Sequence, residues 1–441
     1  VRKEMQGREQ RPLADSKNSF AMFGKESISE ARFCQDAIML SRVLPNHTYV
    51  LNFTDDRYLF SVGFLAAILR KQTVLLPGDK TATTKNKLKE KYPDSYDLTT
   101  LLCSLHEKNK NPCPDADNYL TISQFNIPDA QVVAIPFTSG STGEPMPHPK
   151  AWGHLRASVD RISERLALPN NTTMISTVPA QHMYGLELSV LLPMFKRGVL
   201  SPLKPFYPQD IQQALEEVGT AKALVTTPIH LRALLSSKLN LPRLDAIISA
   251  TAPLTVEMAC EAEKRFETQV TEVYGCTEAG SLATRRPVQN KYWRWFRGVE
   301  IKKDEPLKIM ADYLPNPLVL SDRIRSLNDG TFELTGRMED LINIAGKRTS
   351  LAGMNHCLLS IDGVQDGAFA FQNTGVEQIE RLIALVVAPD KSEEIIMSEL
   401  RNQLDPVFLP RKIVKLVSIP RTESGKLTKK ALSLWLKDLE E

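Results

Sequence analysis

The sequence predicts an α/β protein in two units. The first is large, with mostly parallel sheets flanked by helices and a β-rich subdomain; the second is a small α+β unit. Three observations predict this. Short apolar runs alternate with helical stretches up to about Phe266, the pattern of parallel sheets with helices on their faces. From Trp293 to Leu334 the texture changes to brief β-like pieces broken by turn residues. After Gly336 a third texture begins, about 100 residues long and large enough for its own core. The total of 441 residues exceeds the roughly 100–200 of an ordinary domain.

In chain order, "SVGFLAAILRKQ" (Ser61–Gln72) reads as a buried helix and "TVLLP" (Thr73–Pro77) as a short strand after it. "KTATTKNKLKEKYPD" reads as a solvated helix or loop, and Val132–Ile135 as an apolar strand. Further strands are expected at Met174–Val178, Ala223–Thr227, Ala246–Ser249 and Val270–Tyr274, with helices over Leu186–Phe195 and Val256–Phe266. Pro228 stands where a helix begins, a position that tolerates its missing N–H. In the last third, strands are expected at Ala368–Phe371, Leu382–Val387 and Ile413–Ile419. A helix opens with Ser392 as N-cap and is read with Ile395, Ile396 and Leu400 on one face. The boundary is placed near Glu339, dividing the chain into 1–338 and 339–441.

Composition narrows the function classes. With 42% hydrophobic and 24% charged residues the chain reads as globular. A net charge of +3 argues against a general nucleic-acid binder. The six cysteines form no CxxC pair and read as free thiols. No apolar run reaches the ~18 residues of a membrane span, and the polar N-terminus lacks the apolar core of a signal peptide. The expected location is cytoplasmic.

Four stretches carry chemistry. "FTSGSTGEPMPHPK" (Phe137–Lys150) follows the strand at 132–135 and packs hydroxyls at Thr138, Ser139, Ser141 and Thr142 around Gly140 and Gly143. The glycines permit positive φ and let N–H groups converge on an anion. Taken alone, a Ser/Gly surface loop fits equally well. "VYGCTEAG" (Val273–Gly280) sets Thr277 and Glu278 after a strand, either as a Mg²⁺ ligand with a neighbouring hydroxyl or as a helix cap. "LSDRIRSLNDGTFELTGRMEDLINIAGKR" contains Asp322 and Arg337, and "PRTESGKLTKKAL" holds Lys426 on a glycine turn.

Together and in this order, these stretches resemble the acyl-adenylate-forming superfamily, which includes acyl-CoA synthetases, aryl-CoA ligases and the adenylation domains of peptide synthetases. The resemblance runs from about Val132 to the C-terminus. It implies a two-step ligase: a carboxylic acid attacks the α-phosphate of ATP to give acyl-AMP, and a thiol then takes the acyl group. It also implies that the small C-terminal domain is mobile. By this resemblance Thr138, Ser139, Gly140, Ser141, Thr142 and Gly143 would hold phosphates. Glu278, with Thr277 beside it, would bind Mg²⁺. Tyr274, Ala250 and Thr251 would flank the adenine, Asp322 the ribose, and Arg337 ribose and phosphate. Lys426 would bridge the acid and the α-phosphate. His182, in "VPAQHMYGLE", would border the acid pocket; His230 reads as an ordinary helix residue, and His148 and His154 receive no role.

The chain departs from that family at Met146, where a loop lysine is usual; Lys150, further on, is a candidate substitute. Ala250-Thr251 replaces a usual glycine pair, and its added bulk points to a compact, aromatic acid. Glu339 is the expected hinge. The implied acceptor is CoA or the phosphopantetheine of an acyl carrier protein, with Arg411, Lys412, Lys415, Arg421, Lys429 and Lys430 as its basic docking face. The alternative is a catalytically impaired nucleotide-binding module.

Overall fold

The computed structural model describes residues 19–24, 26–99, 101–102, 120–139, 145–196, 198–219, 221–302, 307–314, 316–327, 330–337, 341–344, 347–373, 380–419 and 421. Its largest sheet has eleven strands. Six adjacent ones run parallel, in spatial order Val270–Cys276, Ala246–Ser249, Lys222–Thr226, Thr172–Ser176, Gly198–Leu200 and Ser19–Phe23. Antiparallel strands extend it on both sides, among them Gly280–Arg285, Asp322–Ser326 and Thr331–Arg337. A second sheet of six strands includes the parallel set Ser95–Asp97, Tyr49–Leu51, Thr73–Leu76 and Val132–Ser139.

One core joins the two sheets. It contains Val50, Val74 and Ala134 from the second and Met174, Leu200, Ala223 and Ile248 from the first. The helix Arg57–Leu69 is apolar on nearly every side and is buried in this core. Asp56 caps it, accepting from the Leu59 N–H at 2.8 Å. Arg57 is fully buried at its start, where its guanidinium donates to the carbonyls of Ser176 and Val178 at 3.0 Å and of Ser201 at 3.2 Å. That cation, surrounded by carbonyls rather than a carboxylate, ties the helix to the ends of two strands. Gln181 completes the join, donating to the Thr54 carbonyl at 3.0 Å.

Several expected bounds shift. The strand beginning near Met174 ends at Ser176, and that at Ile413 ends at Lys415, where pairing with Val386 stops. Ser392 does cap the helix Glu393–Gln403, but Ile395 is corrected from the buried face: it is 47% exposed, while Ile396 and Leu400 are buried. Those two stand four residues apart, one turn on the same side, and Ile395 points away from them. The helix expected over Leu186–Phe195 begins three residues earlier, at Met183, and its α geometry at Met183–Leu186 and Leu192–Phe195 is interrupted by a π turn over Glu187–Leu191. The last third has separate cores, one of Met354, Leu358, Phe369, Ile396, Leu400 and Ile413 among others. Residues 338–340, where the boundary was drawn, lie outside the described residues.

Candidate active site

Parallel strands carry their carboxyl ends to one edge, and that edge is where ligands bind in open α/β sheets. Here it collects the expected residues. Strand Thr172–Ser176 leads to His182, Lys222–Thr226 to His230, Ala246–Ser249 to Ala250 and Thr251, and Val270–Cys276 to Thr277 and Glu278. Val132–Ser139 ends on Thr138 and Ser139. After Thr277 and Glu278 the chain turns into the strand Gly280–Arg285, so the helix-cap reading of "T-E" is set aside.

Thr138 and Glu278 come together through a residue to which no role was given. His148 Nε2 lies 2.8 Å from Thr138 Oγ1 and 3.7 Å from Glu278 Oε1. The Glu278 side chain is 34% exposed and that of His148 only 13%, so the carboxylate is open to a ligand and the imidazole lies beside it. Burial lowers the His148 pKa; Glu278 opposes this, and the Lys150 charge reinforces it.

Lys150 was a candidate to replace the absent loop lysine. It is buried instead, donating from Nζ to the Glu278 carbonyl oxygen, and so braces the turn from beneath. Its burial depresses its pKa, an effect that the neighbouring Cys276, Glu187 and Glu278 partly offset. Glu187 was not anticipated either. It is buried in the π turn, accepting from Ser158 Oγ and Ser281 Oγ at 2.6 Å each and from the Ser281 N–H at 3.1 Å. Burial raises its pKa, with those hydrogen bonds and Lys150 acting the other way. Gly280 turns beside it with φ +81°; a β carbon there would fall under 3.0 Å from Glu187 Oε1. Strand alternation could have flagged His148, because Thr138 pairs with Met146 and residue 148 shares that face. Glu187 offered no local signal.

Tyr274 and Asp322 are joined directly: the phenol lies 2.8 Å from Asp322 Oδ2. The Tyr274 ring is buried against Trp293 and Phe332, with centroids at 5.7 and 5.8 Å. Asp322 pairs across the ladder with Arg337. Thr251 adopts φ +79°, an uncommon geometry for a β-branched residue. Its hydroxyl and that of Ser249 are buried without a hydrogen-bond partner among the described residues. His182 is the half-buried residue preceding the helix at Met183. His230 is buried, its Nδ1 2.9 Å from Thr227 Oγ1; burial, then Lys204, push its pKa down to about 4.

Gly140, Ser141, Thr142, Gly143 and Lys426 lie outside the described residues, as does Glu339. Arg421 is corrected from the basic docking face: it forms a two-pronged pair with Asp366, at 2.9 and 2.7 Å. Arg411, Lys412 and Lys415 are exposed, though Lys415 Nζ donates to the Lys391 carbonyl at 2.7 Å. Among the described residues no group of three His, Cys, Asp or Glu gathers as a metal cluster, and no helix is long and apolar enough to cross a membrane. The site does fit a nucleotide with one divalent cation. It offers the part-exposed Glu278 carboxylate, linked through His148 to the Thr138 hydroxyl, a donor set suited to an ion that keeps most of its ligands from phosphate and water.

Residues 46–302 match the family model described as AMP-binding enzyme. A 4-coumarate–CoA ligase of Cereibacter sphaeroides is 25% identical over 305 residues, 66% of this chain and 69% of that protein. A 3,4-dihydroxybenzoate–[aryl-carrier protein] ligase of Bacillus anthracis is 23% identical over 311 residues, 68% of this chain and 73% of that protein. An anthranilate CoA ligase solved with anthranoyl-AMP superposes with a TM-score of 0.78 at 15% identity, over 96% of this chain and 95% of that one, which establishes the shared fold.

Proposed function

Because the chain belongs to the AMP-binding enzyme family, we propose that it is an ATP-dependent, AMP-forming ligase that activates a carboxylic acid as acyl-AMP and passes the acyl group to a thiol. What supports this is that His148 links Thr138, from one sheet, to Glu278, just after the strand Val270–Cys276 of the other, while Tyr274 on that strand is joined to Asp322. Attack of a carboxylate on phosphorus concentrates negative charge, so catalysis rests on positioning and on groups aimed at that charge. Residues 138–143 hold the phosphates. Glu278 is the ligand to Mg²⁺, which when bound neutralises phosphate charge. Asp322, held by the Tyr274 phenol, accepts from the ribose hydroxyls, with Arg337 across the ladder from it. In this reading Lys426, of the small domain (residues 339–441), would neutralise charge between the acid and the α-phosphate.

The acid is aromatic in this reading. The relatives described above are named for coumarate, dihydroxybenzoate and anthranilate, and Thr251 adds bulk where a glycine would leave room. The acceptor is the phosphopantetheine thiol of a carrier protein in preference to CoA, with exposed Arg411 and Lys412 offered to its acidic surface. The test is acid-dependent exchange of pyrophosphate into ATP across aromatic and fatty acids, followed by CoA and holo-carrier protein in parallel. Aromatic acids are expected to support exchange. ATP binding without exchange for any acid overturns the reading in favour of an impaired module, and a much larger kcat/KM with CoA overturns the choice of acceptor.

A further inference from the structure

We propose that His148 is a positioning residue that aims the Thr138 hydroxyl outward, so that it donates to a phosphate oxygen of the bound nucleotide; this rests on the ligase reading above. A threonine hydroxyl has one proton to give, and a neighbour that accepts that proton takes it from the ligand. His148 Nε2, 2.8 Å from Thr138 Oγ1, either accepts from the hydroxyl or donates to it. The carboxylate decides which. Glu278 Oε1 is 3.7 Å from the same nitrogen. A bare lone pair at Nε2 would face that negative oxygen, whereas an N–H there is attracted to it. The favoured tautomer therefore carries its proton on Nε2 and donates to Thr138 Oγ1. The hydroxyl proton is then turned away from the imidazole and left for an acceptor outside the protein. The direction is the same for a ring with one proton or two, since Nε2 bears hydrogen in both.

The residue is held in place for this task. Its main-chain N–H donates to the Pro136 carbonyl at 2.9 Å, which fixes the backbone, and burial of the side chain, 13% exposed, restricts the ring. Thr138 stands near the end of the strand Val132–Ser139, paired with Met146 at the position where related chains carry a loop lysine. Met146 itself is 55% exposed and brings no charge to the phosphates. A hydroxyl held as an obligate donor supplies one directed hydrogen bond there instead.

A double-mutant cycle tests the coupling. ATP affinity is measured by calorimetry with Mg²⁺ and no acid, alongside KM for ATP, KM for the acid and kcat, for His148→Ala, Thr138→Val, the double variant and His148→Gln. Loss of one hydrogen bond to a charged oxygen weakens binding by about 10-fold or more. We expect that loss in His148→Ala and in Thr138→Val, no further loss in the double variant beyond about 2-fold, and an unchanged KM for the acid. His148→Gln, whose amide can donate from a similar reach, is expected to recover most of the affinity. Losses that multiply in the double variant, or a glutamine variant as weak as the alanine one, overturn the proposal. So does His148→Ala binding as tightly as wild type. Wild type that binds no ATP overturns the ligase reading with it, whereas wild type that binds without coupling overturns this proposal alone. Unfolding midpoints of all four variants show whether a loss is one of folding, and His148→Gln keeps the proposal refutable if the alanine variant does not fold.

Discussion

Replacing Gly280 by alanine should be among the most damaging small changes in this protein. Two costs add. The backbone at φ +81° is open to glycine and costs an alanine about 1 kcal/mol. The new methyl would also fall under 3.0 Å from Glu187 Oε1 and 3.3 Å from Ser158 Oγ. Glu187 cannot retreat without loosening its bonds from Ser158 and Ser281, and each hydrogen bond to a buried charge is worth about 1.5–3 kcal/mol. Loss of one or two of them gives a total of about 2.5–7 kcal/mol. For a protein of this size, with roughly 1 °C lost per kcal/mol, that lowers the unfolding midpoint by about 3–8 °C. Gly330→Ala is the control: φ is +75° there too, but among the described residues no atom beyond its chain neighbours lies within 4 Å of the added carbon, so only the backbone cost of about 1 kcal/mol applies. Thermal unfolding of the two variants beside wild type is the assay. If Gly280→Ala melts within about one degree of Gly330→Ala, the contact with Glu187 does not hold the turn and the reasoning fails.

Two other outcomes are expected. Lys426→Ala should slow acyl-AMP formation by about 10²–10³, the usual cost of removing one preorganised charge; thioester formation from supplied acyl-AMP should be spared, and equal loss of both steps would refute the assigned role. His230 has a folded-state pKa of about 4, below that of an unfolded histidine, so the unfolded chain binds more protons between about pH 4 and pH 6.5 and stability falls as pH drops through that window. Chemical denaturation should show His230→Gln losing about 2 kcal/mol less than wild type between pH 7.5 and pH 5; identical pH profiles would show that His230 does not carry this dependence.

Local rules served well where one short segment decides the outcome. The strand Ala246–Ser249 and the helix Val256–Phe266 coincide with their apolar patterns, and Pro228 starts a helix because its fixed φ suits the first turn. Thr138, Tyr274, Glu278 and Asp322 were picked out by the resemblance of their motifs; the structure joins Tyr274 to Asp322 and links Thr138 to Glu278 through His148. What could not be read depends on partners far along the chain. Ile395 and Ile396 are equally apolar, and only the packing of the last third selects Ile396. Lys150 reaches the Glu278 carbonyl across 128 positions, and Glu187 meets Ser281 across 94. Arg421 reads as a surface charge until the strand carrying Asp366 is brought beside it.

The π turn at Glu187–Leu191 has a consequence for how this protein can be altered. Such a turn holds one more residue than an α turn, and a single residue corresponds to about 100° of rotation and 1.5 Å of rise. Deleting one residue between Glu187 and Leu191 would let the helix close into continuous α geometry. Because the wider turn absorbs the extra residue within itself, the flanking turns would keep nearly the same phase, and Phe195 could stay packed on Trp152, with ring centroids 4.9 Å apart. What would change is the local widening that carries Glu187 to Ser158 and Ser281. The extra residue thus works as a local bulge that delivers one buried carboxylate without turning the rest of the helix, and libraries built on this helix should vary its side chains while leaving the Glu187–Leu191 turn intact.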